Sequence, residues 1–193
     1  LWGVPEGGGA PSVVTEPDKK ANELGHWWPQ ILPDGDTVIF TSLGTPIETS
    51  RILARSLETG EQRLVMRGAV GGRATASGHL LFARVETVLA APFDARRAEV
   101  TGPAVPVTEG VLFAPQNASS QFAVSDAGLL AVIRTTAVST TQRLVAIDRT
   151  GTVQVVRDGL KTYGAMRLSP DGRRVALSLM DGSKPPDVWI HDL

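Results

Sequence analysis

Cysteine is missing from all 193 residues. That excludes a disulfide scaffold, a thiolate metal centre and a cysteine nucleophile. It leaves the redox compartment open, because a chain without thiols is at ease in either. Aromatic residues are scarce at 5%, with a single tyrosine. No window approaches the ~18 consecutive apolar residues of a membrane span. The stretch Gly128-Leu129-Leu130-Ala131-Val132-Ile133 stops at Arg134, so direct membrane insertion of this segment is not expected. Neither sign of charge prevails: 19 Lys and Arg stand against 20 Asp and Glu, for a net charge of −1. A dedicated nucleic-acid binder normally carries a basic stripe, and nucleic acid is therefore not an expected partner. The chain opens Leu1-Trp2-Gly3-Val4-Pro5, with no initiator Met and no basic region ahead of an apolar one. It reads as a piece of a longer protein, in which a missing targeting signal carries no weight.

Helical periodicity is also lacking, since no segment sustains apolar residues at i, i+3, i+4 and i+7 for three turns. What is present is of the β type. Short apolar, β-branched runs recur, each bounded by Gly, Pro, Asp or Ser: Thr37-Val38-Ile39-Phe40, Leu80-Leu81-Phe82-Ala83, Leu129-Leu130-Ala131-Val132-Ile133 and Val175-Ala176-Leu177-Ser178-Leu179. Each follows a turn: Leu32-Pro33-Asp34-Gly35, Ala76-Ser77-Gly78, Ser125-Asp126-Ala127-Gly128 and Ser169-Pro170-Asp171-Gly172. Proline presets φ, aspartate bonds the turn backbone and glycine accepts a positive φ, so the turns are encoded by their chemistry. The second turn lacks the Pro-Asp pair and is expected to be less tight.

The turn glycines lie 43, 50 and 44 residues apart. A second marker follows at matching phase: Gly128 precedes Asp148 by 20 residues, and Gly172 precedes Asp192 by 20. A period of this length with four short strands per unit is the signature of a β-propeller blade. The chain is therefore expected to be all-β, a propeller of four-stranded antiparallel blades. The count gives an incomplete set, about four to five blades' worth of a larger ring. Residues 1–20 read as the end of a preceding blade, 23–68, 70–110 and 113–158 as three blades, and 162–193 as the first three strands of a further one. In the first full blade the strands are expected at 26–31, 37–42, 52–57 and 62–66, and residues 95–106 should lengthen an outer hairpin.

Reactive motifs are mostly wanting. The Gly-x-Ser-x-Gly elbow of hydrolases is absent, as are the phosphate-cradling Gly-x-x-x-x-Gly-Lys-Ser/Thr loop and the kinase catalytic motifs. His26, His79 and His191 are far apart and show no two-ligand spacing. Asp34-Gly35-Asp36 opens like a calcium loop but lacks the remaining oxygen ligands, and turn chemistry accounts for it. No catalytic, metal or cofactor residue is expected. The residues set apart as structural turns are Pro33, Asp34, Gly35, Asp126, Gly128, Pro170, Asp171 and Gly172. Loops carry function where a rigid scaffold positions them. The segments 22–26 and 162–165, which lead into inner strands, therefore supply the candidate interaction residues His26 and Tyr163, and an exposed Trp27 would add an interaction anchor. On a strand the rings of Trp27 and Trp28 point opposite ways, one buried between blades and one more exposed, unless both serve as packing residues. Trp2 and Trp189 fall at matching third-strand positions and read as packing residues. Asn117-Ala118-Ser119 matches a glycosylation sequon and reads as a polar loop.

The run Leu168-Ser169-Pro170-Asp171-Gly172-Arg173-Arg174-Val175-Ala176-Leu177-Ser178, followed by Asp187-Val188-Trp189-Ile190-His191-Asp192-Leu193, closely resembles the WD-like repeats of TolB-type β-propellers. The order of Trp28-Pro29-Gln30-Ile31-Leu32-Pro33-Asp34-Gly35, Phe93-Asp94, Val100-Thr101-Gly102-Pro103 and Gln121-Phe122-Ala123-Val124-Ser125 is similar to propeller regions C-terminal to bacterial serine/threonine protein kinases. The resemblance implies a bacterial, non-catalytic repeat module for protein–protein or ligand recognition, the sensory or scaffolding part of a larger protein. Its alternative is an accessory propeller of an enzyme, either such a kinase or a prolyl-oligopeptidase-like serine peptidase. It favours a periplasmic or extracytoplasmic place, with the cytoplasm open. The partner is a protein or a small ligand, and self-association to complete the ring is a further expectation.

Overall fold

The computed structural model describes residues 1–114, 119–136, 139–156, 162–180 and 187–193. The sequon at Asn117 and Ala118 lies outside these. Among the described residues there is no α-helix, only two single 3-10 turns at Lys19–Ala21 and Ile47–Thr49. Among the described residues no helix is long and apolar enough to cross a membrane.

A two-stranded ribbon comes first, β1 (Trp2–Gly3) with β2 (Ser12–Val13). Four antiparallel sheets follow in a ring, as the blades of a four-bladed propeller. Blade A is β3 (Glu23–Ile31), β4 (Thr37–Gly44), β5 (Arg51–Ser56) and β6 (Gln62–Arg67), hydrogen-bonded in chain order. Blade B is β7 (Val70–Thr75), β8 (His79–Arg84) and β9 (Thr87–Asp94), with β10 (Glu99–Val100) and β11 (Val105–Thr108) both pairing on β9. Residues 95–106 thus do more than lengthen a hairpin. The outer strand of this blade is broken in two, with Val100 opposite Phe93 and Val105 opposite Ala90. A small ribbon, β12 (Phe113–Ala114) with β13 (Ser119–Ser120), leads into blade C. That blade is β14 (Phe122–Val124), β15 (Leu130–Thr136), β16 (Ser139–Ile147) and β17 (Val153–Val155). Blade D holds β18 (Thr162–Leu168), β19 (Arg174–Met180) and β20 (Asp187–Asp192).

The second strands explain why the apolar runs are continuous rather than alternating. In blades A, B and C each is buried on both faces, so its successive side chains serve two different cores; in blade D only Val175, Leu177 and Leu179 are buried. On β8, Leu80 and Phe82 face blade A, whereas Leu81 and Ala83 face blade C. On β15, Leu130 and Val132 join blade B, and Ala131 and Ile133 join blade D. On β4, Ile39 packs on blade B, while Val38 and Phe40 meet Leu1 and Val14 beside the first ribbon.

All four turns close with the same bond, from the glycine N–H to the carbonyl three residues earlier. The distances are 3.0 Å at Gly35, 3.1 Å at Gly78, 2.9 Å at Gly128 and 2.9 Å at Gly172. The Ala76-Ser77-Gly78 turn is therefore as closed as the others, against expectation. Thr75 supplies what the missing Asp would, its hydroxyl donating to the His79 carbonyl and accepting from the His79 N–H. Gly35 and Gly172 hold φ of +74° and +72°, the region in which a Cβ is strained.

Blade D and the first ribbon each keep one bare face. Val188 and Ile190, opposite Ser178 and Ala176, are 72% and 69% exposed, and Trp2 beside Val13 is 69% exposed. Trp189 is exposed as well. The expectation that Trp2 and Trp189 are packing residues fails, since Trp2 is 69% and Trp189 51% exposed: Trp2 stands on the bare ribbon face, and Trp189 on the last strand of blade D, at its edge.

Candidate functional site

The inner strands of all four blades meet in one axial recess. Trp28 comes from blade A, Gly71 and Arg73 from blade B, Ser119 to Phe122 from the entry to blade C, and Ala165 to Arg167 from blade D. Its internal volume is about 20 Å³, room for roughly one solvent-sized group. Arg73 Nη1 donates to the Trp28 carbonyl at 2.8 Å and the Gly72 carbonyl at 3.0 Å. Arg167 Nη1 donates to the Met166 carbonyl at 3.1 Å. Burial, and then the charge of Arg167, push the Arg73 guanidinium down to about 10. Desolvation likewise lowers Arg167, although much of that residue is exposed to solvent. Both remain cationic at neutral pH, and among the described residues neither has a carboxylate partner.

Backbone strain accompanies this arrangement. Trp28 sits at φ +59° where the β3–β4 register slips between Trp27 and Gln30. A bulky residue in the left-handed region is uncommon. Neither tryptophan is therefore buried between blades as expected of a regular strand. Trp27 is 42% exposed, and Trp28 is half-buried at the recess. Gln30 then bridges two inner strands, its amide accepting from Ala74 N at 2.8 Å and donating to Ala74 O at 2.9 Å.

A second polar cluster lies at the start of β3. Glu23 Oε1 accepts from Arg51 Nη2 at 2.5 Å and from Ser42 Oγ at 2.7 Å. Glu23 Oε2 accepts from Asp18 N at 2.7 Å and lies 3.1 Å from His26 Nε2. His26 Nδ1 is 2.8 Å from Thr15 Oγ1. A carboxylate can only accept, so His26 Nε2 carries the proton and Nδ1 accepts from the Thr15 hydroxyl. Burial would raise the Glu23 carboxyl, but hydrogen bonds from Asp18, Ser42 and His26 outweigh it and hold the group below its ordinary value. Burial also lowers His26, against the pull of Glu23. The order Thr15, His26, Glu23 has nucleophile–base–acid spacing. Yet the side chains of His26 and Glu23 are only 2% and 7% exposed, and Thr15 is buried beside them. The cluster ties the segment after the first ribbon to blade A.

The candidate interaction residues thus separate. His26 is an internal strand residue of that clasp rather than part of an exposed loop. Tyr163 is 4% exposed in the core between blades C and D, since its position on β18 turns it inward. Trp27 alone of the three is open to solvent. Two of the turn aspartates are occupied within their own turns: Asp34 accepts from Asp36 N and Thr37 N, and Asp171 from Arg173 N and Ser169 Oγ. No motif singles out Arg73 and Arg167. A usable signal is nonetheless there, because each lies five residues before a turn glycine, Gly78 and Gly172.

No protein-family model matches the chain, and no curated protein matches it in sequence. Solved structures do match its fold. TolB from Acinetobacter baumannii is 15% identical over 98% of this chain and 45% of its own, with a TM-score of 0.65. The S511A mutant of puromycin hydrolase complexed with PGG is 18% identical over 88% and 27%, with a TM-score of 0.64. The β-propeller domain of the Trilobed protease from Pyrococcus furiosus, described as an open velcro topology, is 16% identical over 86% and 68%, with a TM-score of 0.53. The chain spans less than half of the TolB chain it resembles. Its fold is that of the TolB-like β-propellers.

Proposed function

We propose that this chain is a non-catalytic recognition module, a propeller that binds a protein or ligand at its axis and end loops. The observation that carries this reading is the axial recess, where strands from four blades bring together guanidinium groups that have no carboxylate partner among the described residues. The one arrangement with hydrolase-like spacing described above is internal and saturated: every oxygen of Glu23 is already engaged. The purified chain should turn over neither ester nor peptide substrates. Hydrolysis that disappears in His26→Gln would overturn the reading.

The fold likeness to puromycin hydrolase supports a second reading, an accessory propeller that gates an attached serine peptidase. A kinase parent rests on the sequence resemblance alone. The full reading frame separates these, through a hydrolase elbow or a kinase catalytic loop. The bare faces at Trp2 and at Val188 and Ile190 support self-association, because exposed apolar patches promote association between copies. Light scattering should then give a mass above 20.4 kDa that rises with concentration. A concentration-independent monomer would overturn it.

A further inference from the structure

The geometry points to the axial recess as a carboxylate-binding site, with Arg73 and Arg167 as the groups that hold the ligand. This rests on the reading of the chain as a recognition module and names the chemistry that it recognises. Two guanidinium groups approach from the inner strands β7 and β18, and their like charges repel. Among the described residues no Asp or Glu lines the recess to offset them. Arg73 is half-buried and Arg167 is exposed at the recess, and backbone carbonyls alone hold their guanidinium groups there.

Those carbonyls orient the forks without consuming them. Arg73 uses Nη1 alone, on Trp28 O and Gly72 O, and Arg167 uses Nη1 alone, on Met166 O. Among the described residues Nε and Nη2 of each are given no partner and remain for a ligand, and the planar fork suits two oxygens of one oxyanion. Donors held in place before the ligand arrives lower the cost of binding. The strained Trp28 contributes to that, since its left-handed φ accompanies the carbonyl that anchors Arg73; strain of this kind gathers at ligand sites. Ser119 adds a donor. Its Oγ accepts from Gln121 Nε2 at 2.6 Å, which leaves its own proton to give. The recess itself has room for about one solvent-sized group, so only the oxygens of a ligand enter it and the rest stays on the side where Arg167 is exposed.

The test titrates the 193-residue chain with sodium acetate, sodium phosphate and sodium chloride at matched ionic strength. Tryptophan fluorescence, to which Trp28 contributes, and thermal melting provide the readouts. Acetate should give a saturable change that chloride does not. Arg167→Gln, which sacrifices only one backbone hydrogen bond, should weaken acetate by about tenfold or more, as expected on losing a charged hydrogen-bond donor. Arg73→Lys should weaken it too, and if that variant misfolds by circular dichroism, Arg167→Gln decides alone. No saturable acetate response, unchanged affinity in Arg167→Gln, or tighter binding of phosphate would each overturn the assignment. These outcomes leave the recognition reading standing. Hydrolytic activity lost in His26→Gln would instead overturn that reading and leave the anion site intact.

Discussion

Phe82→Ala should destabilise the chain by about 3–5 kcal/mol, the usual cost of removing a fully buried aromatic side chain. Phe82 is 0% exposed in the core shared by blades A and B, among Leu32, Ile39, Ile52 and Leu80. The two walls of the cavity left behind belong to different sheets, each held by its own ladder of hydrogen bonds. Collapse to fill it would require one blade to move against the other, and close-packed interiors resist that. The Arg84 guanidinium also stands 5.7 Å from the centroid of this ring, and its attraction to the aromatic face vanishes in the variant. Trp189→Ala is the control. Although larger, Trp189 is 51% exposed on β20, and surface substitutions usually stay within about 0.5 kcal/mol. Chemical denaturation of both variants measures the difference. Equal destabilisation would mean that the outer surface of blade D is covered in solution.

That contrast also marks how much of the fold is legible in the residues. Leu80-Leu81-Phe82-Ala83 is buried throughout because a second strand has a blade on either side, and a continuous apolar run is how such a strand is written. The repeat of turn glycines locates the four sheets for the same local reason: a positive φ and its closing bond depend on a few neighbouring residues. Strand pattern misplaces Trp2 and Trp189 because their exposure depends on which surfaces lack a neighbour, and a pattern carries no record of that. The recess is hidden differently. Gln30, Arg73, Ala123 and Arg167 occupy one repeat position, five residues ahead of each turn glycine, yet they meet different fates. Gln30 bridges to Ala74, Ala123 is buried in the core, and the arginines face the axis. Register slips at 27–30 on β3 and 70–73 on β7 reorient side chains there, and a slip is set by the pairing of strands rather than by the strand's own residues. Glu23 carries no sequence signal because its partners Asp18, Ser42 and Arg51 are assembled from three separate segments.

Glu23→Ala should be comparably damaging, at about 3–5 kcal/mol, the range for breaking a buried ion pair by deleting one partner. Four donors would lose their acceptor together: Arg51 Nη2, Ser42 Oγ, Asp18 N and His26 Nε2. Arg51 keeps 30% of its side chain in water and can recover solvation, which sets the lower end of that range. Asp18 is exposed too, so the cost falls mainly on Ser42 and His26, whose side chains have little access to water. The same clasp should make the fold acid-sensitive. His26 is held below its ordinary value of 6.5 by burial, so the unfolded chain takes up a proton there before the folded chain does. Its contribution is whole above pH 6.5 and is lost as pH falls toward the folded value. Glu23 is held below its ordinary value of 4.5, and its contribution is lost in the same direction at lower pH. Stability should therefore fall in two stages on acidification. His26→Gln distinguishes them, because a glutamine can donate toward Glu23 and accept from Thr15 without titrating. Urea unfolding between about pH 7.5 and 5.5, a window of roughly one unit either side of the histidine value, should show a flatter stability profile for His26→Gln than for the parent. Identical slopes would show that His26 is already solvated and that the clasp is open in solution.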